Sequence, residues 1–480
     1  MRQAGMLMPI QSLPNRFGIG DFGPKSYEFA DLLKKTGMKI WQILPLNPLG
    51  YGNSPYQPYS SKAMDECYIS LELLEKEGLV KRVPSFRKDE KTVNYEEVRA
   101  YKQPYLREAF SNFKEDKEYR TFVQQPWVYT YAVFLTLKKA NGMQCWNDWP
   151  SDAKQWIHTR DENVIQAYEE DIRYEMFIQF TLYKQWKNLK KYVNKKGIQI
   201  LGDVPFYVGI DSEDVWSNQK SFLLDSDGRP TFIAGVPPDY FSATGQRWGN
   251  PIYNWDYLKE NKFYFWMDRL AYSAELFDII RIDHFRAFDT YWKIPSWCPT
   301  AVEGAWIEAP GYELFDELFR RYPEINIVAE DLGDLRPEVI TLRDHYHFKG
   351  MRVVQFTFNS KYMPEDPENL IIYTGTHDNQ TIRGWVAEQS DAEKVRIRKY
   401  FKKNNYRYPV LSENFIAYSM DSKAEYAIIP MCDVLNLTEK ARLNTPGTVG
   451  YPNWAWRMTG FGKFEEKISF LKKCVRNSGR

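Results

Sequence analysis

Three carboxylates follow three short apolar runs in the second half of the chain. Asp283 follows Ile-Arg-Ile, Glu330 follows Ile-Val-Ala, and Asp378 ends the polar run Gly-Thr-His-Asp. Each run predicts a buried strand that ends close to an acid. Acids at the carboxyl ends of parallel strands lie on the catalytic face of a barrel. Two such acids facing one cavity are the groups that cleave a glycosidic bond.

Asp283 shares one strand face with Arg281, because side chains alternate along a strand. In a barrel this alternation places both charged groups in the lumen and the flanking isoleucines toward the helices. We expect Arg281 to lower the pKa of Asp283 below its reference value of about 3.9. An ionised carboxylate can act as a nucleophile. The alternative is a buried ion pair that only stabilises the barrel.

Glu330 follows the apolar residues Ile-Val-Ala, which offer an apolar wall beside it. Such an environment raises the pKa of a carboxyl group toward the range of a general acid. The alternative is a strand-end residue that caps the next turn. The Asp331 side chain should point to the opposite face of the strand, and we interpret it as a structural cap or a supporting group.

Two histidines lie next to acids. His377 and Asp378 can hydrogen-bond sugar hydroxyls, or Asp378 can cap a turn; His284 and His377 can also be ordinary, satisfied histidines. Asp203 ends another predicted strand, and we interpret it as a residue that organises the site and does not react itself. Tyr56 either stacks on a sugar ring or pins a proline-rich turn.

Eight strand-like runs alternate with helical patterns and favour a (β/α)8 barrel over an open, doubly wound sheet. These runs are 5–10, 39–45, 198–204, 278–283, 325–330, 351–356, 370–375 and 426–432. Helices are predicted at 26–36, 127–139, 167–192, 312–322, 338–346, 392–402 and 439–443.

The 480 residues predict a single catalytic barrel over 1–480 with two insertions. Residues 52–197 separate the second and third strands and predict an inserted, largely helical subdomain. Residues 207–255 are rich in Gly, Pro, Asp and aromatic residues and predict a long active-site loop. Within it, 225–228 (Asp-Ser-Asp-Gly) predicts a hairpin turn, since the Glu that ends a calcium loop is missing.

Composition excludes several partners. Lys and Arg number 64 against 63 Asp and Glu, which argues against nucleic acid or an anionic membrane. Five scattered cysteines predict reduced thiols in a cytoplasmic protein, and the first residues predict no signal peptide. Phosphate-loop, zinc-protease and serine-hydrolase motifs are missing. Aromatic residues make up 16% of the chain and offer flat faces for sugars, although most are expected in the core.

Several longer motifs resemble, in order, those of the 4-alpha-glucanotransferases of the amylomaltase or disproportionating-enzyme family, relatives of the α-amylases. The most specific is the pair of motifs at 235–242 and 245–251. The others lie at 18–23, 41–46, 54–57, 202–205, 281–286, 329–333, 375–379, 442–448 and 453–457.

The resemblance implies roles for individual residues. Asp283 would be the nucleophile, Glu330 the acid/base and Asp378 the stabiliser of the transition state in a retaining double displacement. The implied substrate-binding residues are Tyr56, Asp203, Tyr240, Phe241, Gln246, Trp248, Arg281, His284 and His377. The implied partners are α-1,4-glucans and maltooligosaccharides, with glucose as an acceptor, and the family implies no cofactor and no metal.

Two stretches depart from the family pattern. Residues 61–68 replace the common Ala-Gly-Asn-Pro segment, and Met8 stands where His is common. We expect these changes to affect acceptor preference and secondary glucan sites. An α-amylase-type hydrolase remains the main alternative, and a catalytically dead carbohydrate-binding barrel is a further one.

Overall fold

Eight parallel strands form a barrel in the computed structural model, which describes residues 2–86, 91–238, 242–359 and 366–480. The strands of the described residues are β1 (Gln3–Leu7), β2 (Ile40–Gln42), β3 (Gln199–Val204), β4 (Phe232–Val236), β5 (Gln246–Pro251), β6 (Ile279–Ile282), β7 (Thr290–Pro295), β8 (Ala305–Glu308), β9 (Ile327–Ala329), β10 (Gly350–Val353), β11 (Leu370–Tyr373) and β12 (Tyr426–Pro430). The barrel order is β10-β11-β12-β1-β2-β3-β6-β9, and every predicted strand overlaps one of these eight. The predicted (β/α)8 barrel is therefore confirmed, and the open sheet is excluded.

The seam of the barrel lies between β9 and β10. Among the described residues, a single bridge, from Val328 to Lys349, joins the two strands. Asp331 reinforces the seam, because its carboxylate accepts hydrogen bonds from the Met351 amide at 2.6 Å and from Arg343 at 2.5 Å. A Cβ at Gly350 would lie 2.5 Å from the Asp331 carboxylate and from the Arg343 guanidinium, so a larger residue would displace this ion pair. Asp331 is thus the structural residue that the sequence predicts.

Helices cover the outside of the barrel and fill its insertions. They are α1 (Pro24–Thr36), α2 (Leu71–Lys76), α3 (Tyr95–Asn112), α4 (Lys117–Phe122), α5 (Pro126–Ala140), α6 (Ser151–Thr159), α7 (Glu162–Ile165), α8 (Glu169–Lys195), α9 (Glu213–Ser217), α10 (Trp255–Glu260), α11 (Tyr264–Leu276), α12 (Gly311–Arg321), α13 (Pro337–His345), α14 (Val354–Asn359), α15 (Ile382–Glu388), α16 (Asp391–Lys403), α17 (Leu411–Asp421), α18 (Met431–Val434), α19 (Gly462–Glu465) and α20 (Ile468–Ser478). The first begins with proline and ends at Gly37, whose φ of 86° suits only glycine well.

The predicted helices are present with one exception. Residues 439–443 form only a short 3-10 turn, Glu439–Ala441, because the chain is already extended at Arg442. A segment of five residues is too short to sustain an α-helix without further packing.

Helices α2 to α8 lie between β2 and β3. They are not separate from the barrel, since one hydrophobic cluster contains Trp127 and Trp186 from these helices and Ile200 from β3. In the described part of the chain, no helix is long and apolar enough to cross a membrane.

A second, antiparallel sheet stands beside the barrel in the order β5-β4-β7-β8. The sequence predicted no strands here, because the pattern of β5 (Gln-Arg-Trp-Gly-Asn-Pro) lacks apolar alternation and because β4 also pairs with β7, which is distant in sequence. The predicted turn at 225–228 is confirmed: Leu224 bridges Pro230, and the Asp225 side chain accepts hydrogen bonds from the Asp227 and Arg229 amides. This sheet brings Gln246 and Trp248 toward the barrel.

Candidate active site

A cleft of about 730 Å³ opens at the carboxyl ends of the barrel strands. Eight of the residues predicted from the sequence line it, namely Tyr56, Gln246, Trp248, Asp283, His284, Glu330, His377 and Asp378. Asp203 and Arg281 lie deeper in the lumen, where both are almost fully buried. Tyr240 and Phe241 fall outside the described residues.

Arg281 connects the acids at the floor of the cleft. One of its terminal nitrogens donates to both oxygens of Asp203 at 2.7 and 2.8 Å, and the other contacts Asp283 at 2.9 Å. The Tyr56 hydroxyl donates to Asp203 at 2.7 Å. Asp203 therefore fixes both Arg281 and Tyr56, which is the organising position predicted for it. The lumenal direction of Arg281 follows from strand alternation, as predicted.

Asp283 and Glu330 are neighbours because of the register between β6 and β9. Ile282 pairs with Ala329 in a parallel ladder, and the next residue on each strand is the acid. The Glu330 amide also donates to the Ile282 carbonyl at 3.0 Å. Adjacent strands lie about 4.8 Å apart, so two acids at matching strand ends can face one bond.

The pKa of Asp283 is raised, not lowered, and the expectation from the sequence was wrong. Burial is the main cause, and the charges of Asp203 and Asp378 act in the same direction. Arg281 does make the expected contact and opposes the shift, but it is shared with Asp203. The sequence showed the arginine and could not show how many acids surround it.

Glu330 has its pKa raised to about 7, first by burial and then by the negative charge of Asp283. Its two oxygens accept hydrogen bonds from the backbone amides of His284 at 2.9 Å and Leu332 at 3.0 Å. Glu330 thus caps the following turn as well as facing the cleft. The raised pKa agrees with the apolar wall seen in the sequence, and it places this carboxyl group in the range of a general acid at neutral pH.

Asp378 has the opposite titration behaviour. Burial raises its pKa, but the neighbouring His377 and a hydrogen bond from Asn444 lower it to about 2. The His377 Nε2 lies 3.3 Å from one oxygen, and Asn444 donates to the other at 2.6 Å. Asp378 is therefore ionised throughout the neutral range. The turn here is held by Asn379, whose side chain accepts from the Thr376 amide.

The side walls of the cleft are aromatic. The Tyr56 ring stacks on His377, with centroids 5.0 Å apart. Across the cleft, the Trp248 ring meets His284 edge-on at 4.9 Å. Burial and the nearby Arg286 lower the pKa of His284 to about 4, so its ring is neutral at neutral pH. Gln246 accepts a hydrogen bond from the Trp248 indole at 3.2 Å.

Three further residues belong to this site and were not predicted. Tyr207 and Trp454 line the cleft beside Trp248 and Tyr56, and Asn444 holds Asp378. Asn444 and Trp454 lie within motifs of the family resemblance, which was the available signal. Tyr207 is the third residue after β3, and a search for aromatic residues just after each strand would have found it.

Comparisons with known proteins agree with this geometry. The profile of the family described as 4-alpha-glucanotransferase matches residues 8–463. The 4-alpha-glucanotransferase of Aquifex aeolicus is 38% identical, with 100% of both chains covered. The enzyme of that name from Thermus thermophilus is 40% identical over 95% of both chains.

Solved structures show the same relationship. The amylomaltase of Streptococcus agalactiae, solved in complex with acarbose, is 36% identical and superposes with a TM-score of 0.94 over 100% of both chains. A match of this extent covers the barrel, its insertions and the second sheet together. This chain therefore belongs to the 4-alpha-glucanotransferase family.

Proposed function

We propose that this chain transfers α-1,4-glucan segments from a donor to the 4-hydroxyl of an acceptor through a covalent glucosyl ester on Asp283. Donors are maltooligosaccharides or longer glucans, and acceptors are glucose or glucans. The observation that supports this most directly is the matched strand-end position of Asp283 and Glu330 in one cleft. Retaining enzymes need the two carboxyl groups about 5–5.5 Å apart, which suits neighbouring strands.

In the first step, Asp283 attacks the anomeric carbon and Glu330 protonates the leaving glycosidic oxygen. The direct contact with Arg281 stabilises the ionised form of Asp283, whereas Glu330 lacks a direct arginine contact among the described residues. Glu330, whose pKa is raised to about 7, is therefore the member of the pair that holds a proton for the leaving group. This difference assigns the nucleophile and the acid.

In the second step, Glu330, now ionised, accepts the proton of the acceptor 4-hydroxyl. The acceptor oxygen attacks the anomeric carbon, the ester bond to Asp283 breaks, and the carboxylate is regenerated. Two inversions give overall retention. The two carboxyl groups supply the electron pair and the proton, so the bond changes balance without a cofactor.

The remaining charged residues position the sugar and stabilise positive charge at its ring. Asp378 is ionised and can accept hydrogen bonds from ring hydroxyls. Arg281, held by Asp203, orients Asp283, and Tyr56 offers a ring face backed by His377. Preorganised groups of this kind strengthen their contacts as charge develops.

Transfer requires that a sugar reach the intermediate before water does. The aromatic residues Tyr207, Trp248 and Trp454 give the cleft apolar surfaces that favour a sugar ring over water. We further propose that Tyr240 and Phe241, on the chain between β4 and β5, contribute to acceptor binding. The free thiols of all five cysteines support a cytoplasmic location.

Incubation of the purified protein with maltotriose tests the transferase. Transfer breaks one glycosidic bond and forms another, so we expect glucose and a ladder of longer maltooligosaccharides with a constant number of reducing ends. Short products with a matching rise in reducing ends would identify a hydrolase instead. No product at all would favour a binding protein, although the presence of all three acids argues against that reading.

A further inference from the structure

A second cavity, of about 440 Å³, lies between α6, the segment after α9 and the α10–α11 corner. Among the described residues, none lines both this cavity and the catalytic cleft. Its volume lies within the range of about 300–1,000 Å³ that is usual for small-molecule sites. We propose that this cavity is an auxiliary binding site for a neutral α-glucan chain, a function that rests on the proposed transferase activity.

Two tyrosine rings supply the apolar faces of the cavity. Tyr264 is 61% exposed, and Tyr257 is half-buried beside it. Within the described part of the chain, neither ring packs on another aromatic ring, whereas Phe222, Tyr253 and Phe265 directly behind them pack on one another. A flat, unstacked ring at a cavity mouth suits the C–H face of a pyranose.

Three side-chain amides supply the polar groups. Each uses its NH2 to bind a backbone carbonyl: Asn218 binds Asp214, Gln219 binds Trp216, and Asn261 binds Tyr257. Their carbonyl oxygens have no protein partner among the described residues and can accept from sugar hydroxyls. Among the described residues that line the cavity, none is a carboxylate, and the basic groups are Lys220 and His158. This chemistry suits a neutral polyhydroxylated ligand.

The backbone at the α10–α11 corner is shaped to present Tyr264. Lys262 and Phe263 both adopt left-handed conformations, with φ of 52° and 53°, which bulky residues rarely do. The Phe263 amide donates to the Leu258 carbonyl at 2.7 Å, and the Phe263 ring is buried. Burying one ring in this way turns the next residue, Tyr264, to the outside. A strained corner of this kind is maintained by the packing around it.

Packed side chains connect the cavity with the catalytic cleft. Phe265, which lines the cavity, packs on Tyr253 at 5.9 Å, and the Tyr253 hydroxyl donates at 2.7 Å to the carbonyl of Phe206, which lines the cleft. A long glucan bound at Tyr264 is therefore held at a fixed place relative to the catalytic acids. Holding one part of a polymer raises the effective concentration of its other segments at the cleft.

Replacement of Tyr264 by alanine tests the site, because the residue is exposed and its loss leaves the core intact. We expect Tyr264→Ala to lose most of its retardation in native gels containing glycogen. Its kcat/KM for long amylose should fall about three- to tenfold, as for the loss of one of two linked sites, while kcat/KM for maltotriose stays unchanged. Tyr264→Phe keeps the ring and should retain both properties. Tyr312→Ala, at a tyrosine 43% exposed on α12, is the matched control and should behave as wild type.

Three outcomes would overturn the proposal. The first is unchanged retardation and unchanged kinetics on amylose in Tyr264→Ala. The second is an equal loss on maltotriose and amylose, which would mean damage to the cleft. The third is release of glycogen by inorganic phosphate together with loss of retention in Lys220→Ala, which would identify an anion site. If the wild type fails to convert maltotriose, the transferase is wrong, and the glycogen gels still decide whether Tyr264 binds glucan.

Discussion

Two of the pairs of neighbouring acids in this protein differ in their access to the substrate. Asp283 and Glu330 open into the cleft, and the side chain of Asp283 is 30% exposed. Glu213 and Asp214, on α9, are sealed: Asp214 binds the amide and hydroxyl of Ser61, and Glu213 accepts from Ser217 at 2.8 Å. Burial raises the pKa of every member of both pairs. A raised pKa therefore identifies burial, and only the open pair can meet a sugar.

The largest expected effect is at Asp283. Asp283→Asn removes the nucleophile and should lower kcat with maltotriose by about 10⁴-fold or more, because no covalent intermediate forms. Maltooligosaccharide binding should remain measurable by titration calorimetry. The matched change in the sealed pair, Asp214→Asn, should leave activity nearly unchanged in protein that is still folded. Equal losses in both variants would remove the distinction between the pairs.

Glu330→Gln should lower kcat by about 10²–10⁴-fold, the usual contribution of a general acid. In the wild type, the pKa of Glu330 is raised to about 7, so the protonated acid disappears as the pH rises through 7. The rate of the first step should therefore decline above pH 7, and this decline should be lost in Glu330→Gln. Stopped assays across a pH series measure it. A donor whose leaving group needs no proton, such as a maltosyl fluoride, should restore much of the first step.

Tyr56→Phe tests how Asp283 and Glu330, the pair that opens into the cleft, are held in place. The change removes the hydrogen bond to Asp203 and keeps the ring stacked on His377. Loss of one hydrogen bond to a charged group, worth about 1.5–3 kcal/mol, predicts a decrease in kcat/KM of about ten- to hundredfold together with a lower free energy of unfolding. Activity and urea unfolding of the same preparation provide the two measurements. An unaltered kcat/KM would show that Asp203 needs only Arg281.

The smallest effect is expected in the sealed pair, and it concerns stability. Burial first, and then the charge of Asp214, raise the pKa of Glu213 from 4.5 to about 7. The folded protein thus binds a proton that the unfolded chain releases, and this stabilisation is complete below pH 4.5 and lost as the pH rises through 7. Lys62, Ser60 and Ser217 also face Glu213 and moderate the shift.

Glu213→Gln should remove this pH dependence. The free energy of unfolding of the wild type should fall by about 2 kcal/mol between pH 5 and pH 8 relative to the variant. Urea titrations at the two pH values give the comparison. Parallel curves for the two proteins would mean that Glu213 is ionised in the folded state at both pH values.

The barrel could be predicted because each of its strands can be recognised from its own residues. Runs such as Ile-Ile-Arg-Ile and Leu-Ile-Ile-Tyr are buried on both faces and read as strands without knowledge of their partners. The second sheet could not, since β5 carries exposed polar residues and pairs with β4 only after the intervening chain has folded back.

In the candidate site, too, the properties that depend on neighbouring residues could be predicted, and those that depend on residues distant in sequence could not. Glu330 follows its own apolar wall, and the sequence predicted the direction of its pKa shift. The pKa of Asp283 depends on Asp203 and Asp378, which come from β3 and from the chain after β11, and adjacency to Arg281 gave the wrong direction. The contact of Asn444 with Asp378 joins residues 66 positions apart, so the family motif around Asn444, and not the residue pattern itself, was the available signal.

The single bridge described between β9 and β10 also means that the barrel strands are not all joined by the same number of backbone pairs. Elsewhere each barrel strand is joined to its neighbours by a ladder of several paired residues. In the described part of the chain, this boundary has the bridge between Val328 and Lys349 and the hydrogen bonds that Asp331 accepts from Met351 and Arg343. Amide hydrogens along this boundary should therefore exchange with deuterium sooner than those of β1 or β3. Because Glu330 directly follows β9, the boundary at which we expect the barrel to open most easily ends at the proton donor.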